Sequence, residues 1–128
     1  MASEKAIDAR IQKLVASRGG WSVKFHGSAK TRAGVPDRLI CYCGVFIAVE
    51  VKKPGGKPTR IQEFEISRIR DAGGIAIVAT DTDTVEQVLN YVDYLEAFPR
   101  KEPDGEGGPA SWDDYRQLMS GLPRDGEG

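Results

Sequence analysis

Residues 45–51 read VFIAVEV, an apolar run that ends on a glutamate and is followed at once by Lys52. Side chains on a strand alternate between the two faces of its sheet. Val45, Ile47, Val49 and Val51 therefore share one face, and Phe46, Ala48, Glu50 and Lys52 share the other. A strand that is apolar on both faces belongs in the middle of a sheet covered on both sides. Glu50 closes such a strand, and a carboxylate there needs a partner because an unpaired buried charge is costly. One reading of Lys52 is that partner and nothing more, a structural ion pair.

The neighbouring segments complete a mixed α/β order. Ser3 caps a first helix, whose Ile7, Ile11, Leu14 and Val15 make one apolar stripe before Arg18-Gly19-Gly20 stops it. WSVKF, residues 21–25, alternates as a strand, with Trp21 expected in the core. GSAKTRAGVP, residues 27–36, is a basic loop. LICYC, residues 39–43, and the 45–51 run form a tight hairpin about Gly44. KKPGGKP is a turn, and Thr59 with Gln62 three residues on has the spacing of a capping box for a second helix. IAIVA, residues 75–79, is a fourth strand. Asp83 or a neighbouring Thr caps a third helix carrying Val85, Val88, Leu89, Val92 and Leu95. From residue 99 the chain turns Gly/Pro/acid-rich. The reading is a single mixed α/β body over 1–98 and a tail over 99–128, with a short helix at 111–119.

Charge divides along the same line. The whole chain carries a net −1, yet residues 24–70 hold ten Lys and Arg against four Asp and Glu. The middle of the chain can face a polyanion, and a solvated charged surface is the plainer alternative. The longest uncharged run, 39–49, is far shorter than the roughly 20 residues of a membrane span. Two cysteines, Cys41 and Cys43, exclude a disulfide scaffold and are expected to pack as small hydrophobes. With no apolar signal segment at the start, the expected location is cytoplasmic, without membrane partners.

The residues around Glu50 suggest more than an ion pair. Antiparallel pairing about Gly44, without a gap, brings Asp37 level with Val51 and within reach of Glu50. Two carboxylates so placed repel, and a divalent cation relieves the repulsion. A lysine beside them can orient or deprotonate a water, or steady developing negative charge. Glu4 falls on the apolar stripe of the first helix and is a third candidate; a favourable interaction with the helix dipole is the competing reading. Gln62, in line with Ile66 and Ile69, either contacts the site or only caps the second helix.

Gly34-Val-Pro-Asp37, twelve intervening residues and then Glu50-Val51-Lys52 resemble the PD-(D/E)xK nuclease pattern. More narrowly, AKTRAGVPDRLI and FIAVEVKKPGGKPTRIQ look like the VRR-NUC family, which includes small stand-alone phage enzymes and the catalytic domain of a eukaryotic DNA-repair nuclease. The resemblance spans about residues 3–95 and is most specific over 28–62. It implies a restriction-endonuclease-like core, a mixed central sheet flanked by helices. It implies that Asp37, Glu50 and the Val51 carbonyl hold Mg2+ or Mn2+, with Glu4 completing the set, that Lys52 positions or activates the attacking water, and that Gln62 supports the site. Products would carry 5′-phosphate and 3′-hydroxyl ends. Ser28 is a positional candidate for the serine that junction resolvases of the wider superfamily add before the aspartate.

Lys24, Lys30, Arg32, Lys53, Lys57 and Arg60 are the candidates for phosphate contacts, which position DNA without reading its sequence. His26, the one histidine, is taken as structural or exposed. The expectation is therefore a metal-dependent, structure-specific DNA endonuclease. A four-way junction offers two symmetric strands, so a chain with one site suggests a homodimeric resolvase of Holliday-junction or branched DNA. The alternatives are a flap or nicking nuclease within a larger phage DNA-processing complex, a catalytically idle DNA-binding module on the same fold, or a protein-interaction domain in which the Glu50–Lys52 pair only stabilises the core.

Overall fold

A computed structural model describes residues 2–97. The expected tail over 99–128, its 111–119 helix and the first and last residues of the 1–98 body lie outside the described residues. The elements run α1 (Glu4–Ser17), β1 (Trp21–Lys24), β2 (Arg38–Tyr42), β3 (Val45–Val51), α2 (Arg60–Asp71), β4 (Ile75–Ala79) and α3 (Thr82–Ala97). The four strands form one sheet in the order β1-β2-β3-β4, antiparallel except for the parallel β3–β4 pair. The parallel step needs a crossover, and α2 supplies it.

The alternation read from β3 decides the layers. Ile47, Val49 and Val51 pack against Ile7, Ile11 and Val15 of α1 and Val85, Leu89 and Val92 of α3. On the opposite face Ala48 packs with Ala76 and with Ile66 of α2. Helices thus cover both faces of a mixed sheet, the expected restriction-endonuclease-like arrangement. Among the described residues no helix is long and apolar enough to cross a membrane.

The caps follow local chemistry. The Ser3 hydroxyl accepts from the Ala6 N–H at 3.1 Å, holding the first turn of α1. Thr59 and Gln62 form a reciprocal capping box at α2. At α3 the cap lies earlier than Asp83: the Asp81 carboxylate accepts from the Thr84 N–H at 3.2 Å. Asp81 lies three residues before the amide it caps, so the helix begins at Thr82.

Three sequence expectations change. The hairpin turn uses two residues, Cys43 (φ 50°) and Gly44 (φ 77°), both in the left-handed region favoured by tight hairpins. Tyr42 then pairs with Val45 and Arg38 with Val49, so the next step along the ladder sets Asp37 opposite Glu50 instead of Val51. Cys43 is spent on the turn, and both cysteines are exposed, not packed. Trp21 is not a core residue. It lies on an edge strand whose α2-side face is covered by no helix among the described residues, and it is 61% exposed.

Candidate active site

Asp37 and Glu50 meet on the α2 side of the sheet, at the start of β2 and near the end of β3. Asp37 follows the fully buried Pro36. Its Oδ2 accepts from the Val51 N–H at 2.9 Å, and its carbonyl accepts from the Phe25 N–H at 2.7 Å. The carboxylate is thereby fixed against the next strand. Glu50 is 1% exposed, and its Oε2 has no hydrogen-bond partner. Its Oε1 accepts from Gln62 Nε2 at 2.9 Å and lies 3.6 Å from Lys52 Nζ. Burial, and then the neighbouring Asp37 charge, push the Glu50 carboxyl up to about 7; Lys52 offsets only part of this.

Gln62 takes both roles at once. Its Oε1 accepts from the Thr59 N–H at 2.9 Å while its Nε2 reaches Glu50, so the start of α2 is tied to the end of β3. Glu4 differs from expectation. It lies one turn before Ile7, the first buried residue of α1, and it is exposed. It still borders a pocket of about 270 Å3 lined by Asp8, Lys24, Asp37 and Val51, and its Oε1 lies 3.4 Å from the Lys53 N–H.

The donor set suits a hard divalent cation. A buried carboxylate oxygen without a partner and a second carboxylate across the ladder are what such an ion neutralises. Among the described residues, however, no three His, Cys, Asp or Glu side chains converge as a ready-made metal cluster. An ion here would be held by two carboxylates and would keep several waters, as Mg2+ commonly does.

No family model matches the sequence. A protein described as "Putative nuclease p44" of Acyrthosiphon pisum secondary endosymbiont phage 1 is 36% identical over 90 residues, covering 70% of this chain and 94% of that protein. A solved structure described as a VRR_NUC domain superposes with a TM-score of 0.60 at 27% identity, over 70% of this chain and 98% of its own. The chain belongs to the VRR-NUC nuclease family.

Around Asp37 and Glu50 of this VRR-NUC chain the cations are unevenly placed. Lys24 lines the same pocket as Glu4 and Asp37. Lys30, Lys53, Lys57 and Arg60 are exposed on loops or at the start of α2, and His26 is exposed too. Arg32 is engaged instead: its Nε donates to Glu65 Oε1 of α2 at 2.8 Å. Gly34, at φ 84°, lets the same loop press on α2, where any Cβ would meet the Ile61 side chain at 2.4 Å. Ser28 shares a recess with Asp37, but its hydroxyl is occupied by the Lys30 N–H at 3.2 Å.

Sequence reading missed the ion pair behind the site. Arg38 Nε and Nη2 donate to Asp8 of α1 at 2.7 and 2.8 Å, and its Nη1 donates to Ser22 Oγ at 2.9 Å. Arg38 is 3% exposed and Asp8 7%. Hydrogen bonding to Arg38 holds the Asp8 carboxyl below its ordinary value despite burial. The pair ties α1, one turn after Glu4, to the strand that begins beside Asp37. A charged residue next to Ile7 on the buried side of α1 was the available signal.

Proposed function

We propose that the chain is a metal-dependent, structure-specific DNA endonuclease whose active site is the Asp37–Glu50–Lys52 group. The observation that carries this reading is Glu50, a buried carboxylate with one oxygen unpartnered, set against a second carboxylate and a lysine. A core ion pair would not need Asp37 beside it, because that second negative charge only raises the cost of burial.

In this reading Asp37, Glu50 and the Val51 carbonyl would hold Mg2+ or Mn2+, with Glu4 contributing from α1. Such an ion supplies charge neutralisation at the phosphoryl oxygens and acidifies a bound water. Lys52 holds the attacking water and steadies negative charge building on the phosphoryl group. Gln62 keeps Glu50 Oε1 occupied, so that Oε2 is the free ligand atom. Water oxygen bonds to phosphorus as the P–O3′ bond breaks, and a proton goes to the departing oxygen. The products are a 5′-phosphate and a 3′-hydroxyl.

The proposed substrate is branched DNA, with a homodimer placing one site on each of the two symmetric strands of a four-way junction. The test is cleavage of end-labelled four-way junction, flap and linear duplex with Mg2+, Mn2+ or EDTA. Paired symmetric junction cuts that vanish with EDTA and with Asp37→Asn support the resolvase. Cuts in flaps or single nicks keep the nuclease and remove the resolvase. A folded protein that binds DNA equally with and without metal, and cuts nothing, refutes the enzyme.

A further inference from the structure

Trp21 and Val23 are 61% and 41% exposed on β1, which forms one edge of the sheet. They pair with Cys41 and Leu39, and Leu39 packs toward α2, so both stand on the sheet face that carries Asp37 and Glu50. Because α2 packs on β3 and β4, the β1 side of that face is left open among the described residues. Phe25 continues the alternation. Its N–H bonds to the Asp37 carbonyl, and its side chain shares a recess of about 320 Å3 with Asp37. An apolar stripe with an aromatic residue at each end therefore runs along the edge strand to the catalytic carboxylates.

Spacing and charge say what suits it. Alternate side chains on a strand lie about 6.6 Å apart. Bases stacked in a duplex are about 3.4 Å apart along each strand. Only bases that have left their own stack can lie on successive side chains of this stripe. Residues 9–36 hold Arg10, Lys13, Arg18, Lys24, Lys30 and Arg32 and no Asp or Glu. That surrounding favours a polyanion and disfavours a second copy, which would set the same cations against each other across β1.

We propose that Trp21, Val23 and Phe25 form a stacking track that takes the unpaired strand of a branched nucleic acid and leads it to Asp37 and Glu50. The delivery step rests on the nuclease reading; the track itself does not. The test is binding in EDTA, in a Trp112→Phe background so that Trp21 is the reporting fluorophore. The probes are a short oligothymidylate and a blunt duplex of the same length. The single strand is expected to quench Trp21. Read by the anisotropy of end-labelled probes, Trp21→Ala should lose roughly tenfold in single-strand affinity, with duplex affinity unchanged and Trp21→Phe retaining most of it.

Equal losses on both probes, or no loss on either, overturn the track. So does a Trp21→Ala protein that binds single strands normally but sediments as a monomer where the parent is a dimer, because the face then belongs between copies. If the parent cuts nothing with Mg2+ yet shows the expected quenching, the nuclease reading fails and the track stands.

Discussion

Glu50 concentrates the energetics of the site in one side chain. Its carboxyl is raised from an ordinary 4.5 to about 7, by burial first and by Asp37 second. Between those values the folded protein binds a proton that the unfolded chain has released, so stability falls as pH rises through this window. The contribution is complete below about 4.5 and gone above about 7. Metal-free protein is therefore expected to melt lower at about pH 8 than at about pH 5 on this account, and Glu50→Gln should flatten that slope. The same variant should melt above the parent at about pH 8 and cut nothing, which thermal scans in EDTA beside a cleavage assay will show. Lys52→Ala, which removes only the cation, should keep the fold and lower the single-turnover rate by roughly 100-fold. The Asp37 and Lys52 positions were legible because strand alternation and a hairpin determine which side chains share a face. The partner of Asp37 was misjudged by one residue, because Cys43 is a non-glycine residue at φ 50° and gave no turn signal.

At the scale of elements, α2 and α1 hold the site from opposite faces of the sheet. The capping box at Thr59 was readable from spacing alone; that its glutamine also reaches Glu50 was not, since sequence gives the helix face but not the reach of a side chain. Thr59→Ala should cost about 1 kcal/mol in urea unfolding and also loosen Gln62, lowering activity more than stability explains. On the α1 side, Asp8→Ala leaves Arg38 buried without its partner and should destabilise by roughly 3–5 kcal/mol. Asp8 has a depressed folded value, so its contribution is present above the ordinary 3.8 and lost as pH falls through the lower folded one. A steeper acid limb in the parent than in Asp8→Ala checks that sign. This pair was hidden in the sequence because nothing local announces which strand residue a helix aspartate meets.

For the whole molecule, two helix layers around a mixed sheet were readable from apolar periodicity, and so was the basic middle of the chain. The open face of β1 was not, because Trp21 is of a type expected in the core and, among the described residues, only the position of α2 leaves it uncovered. If four of the exposed cations contact phosphates, raising salt from about 50 to 200 mM should weaken DNA binding roughly 100-fold, and Lys57→Ala should lower the logarithmic salt slope by about one. Filter binding in EDTA reads both. We propose that the pairing of Asp37 with Glu50 is a site for a divalent ion, and the direct measurement is calorimetric titration of Mn2+ at about pH 7 in two buffers of different ionisation enthalpy. Saturable binding with proton release in the parent, and loss of both in Asp37→Asn, is the expected result. Identical heats in the parent and in Asp37→Asn, or no binding to a folded parent, would contradict it.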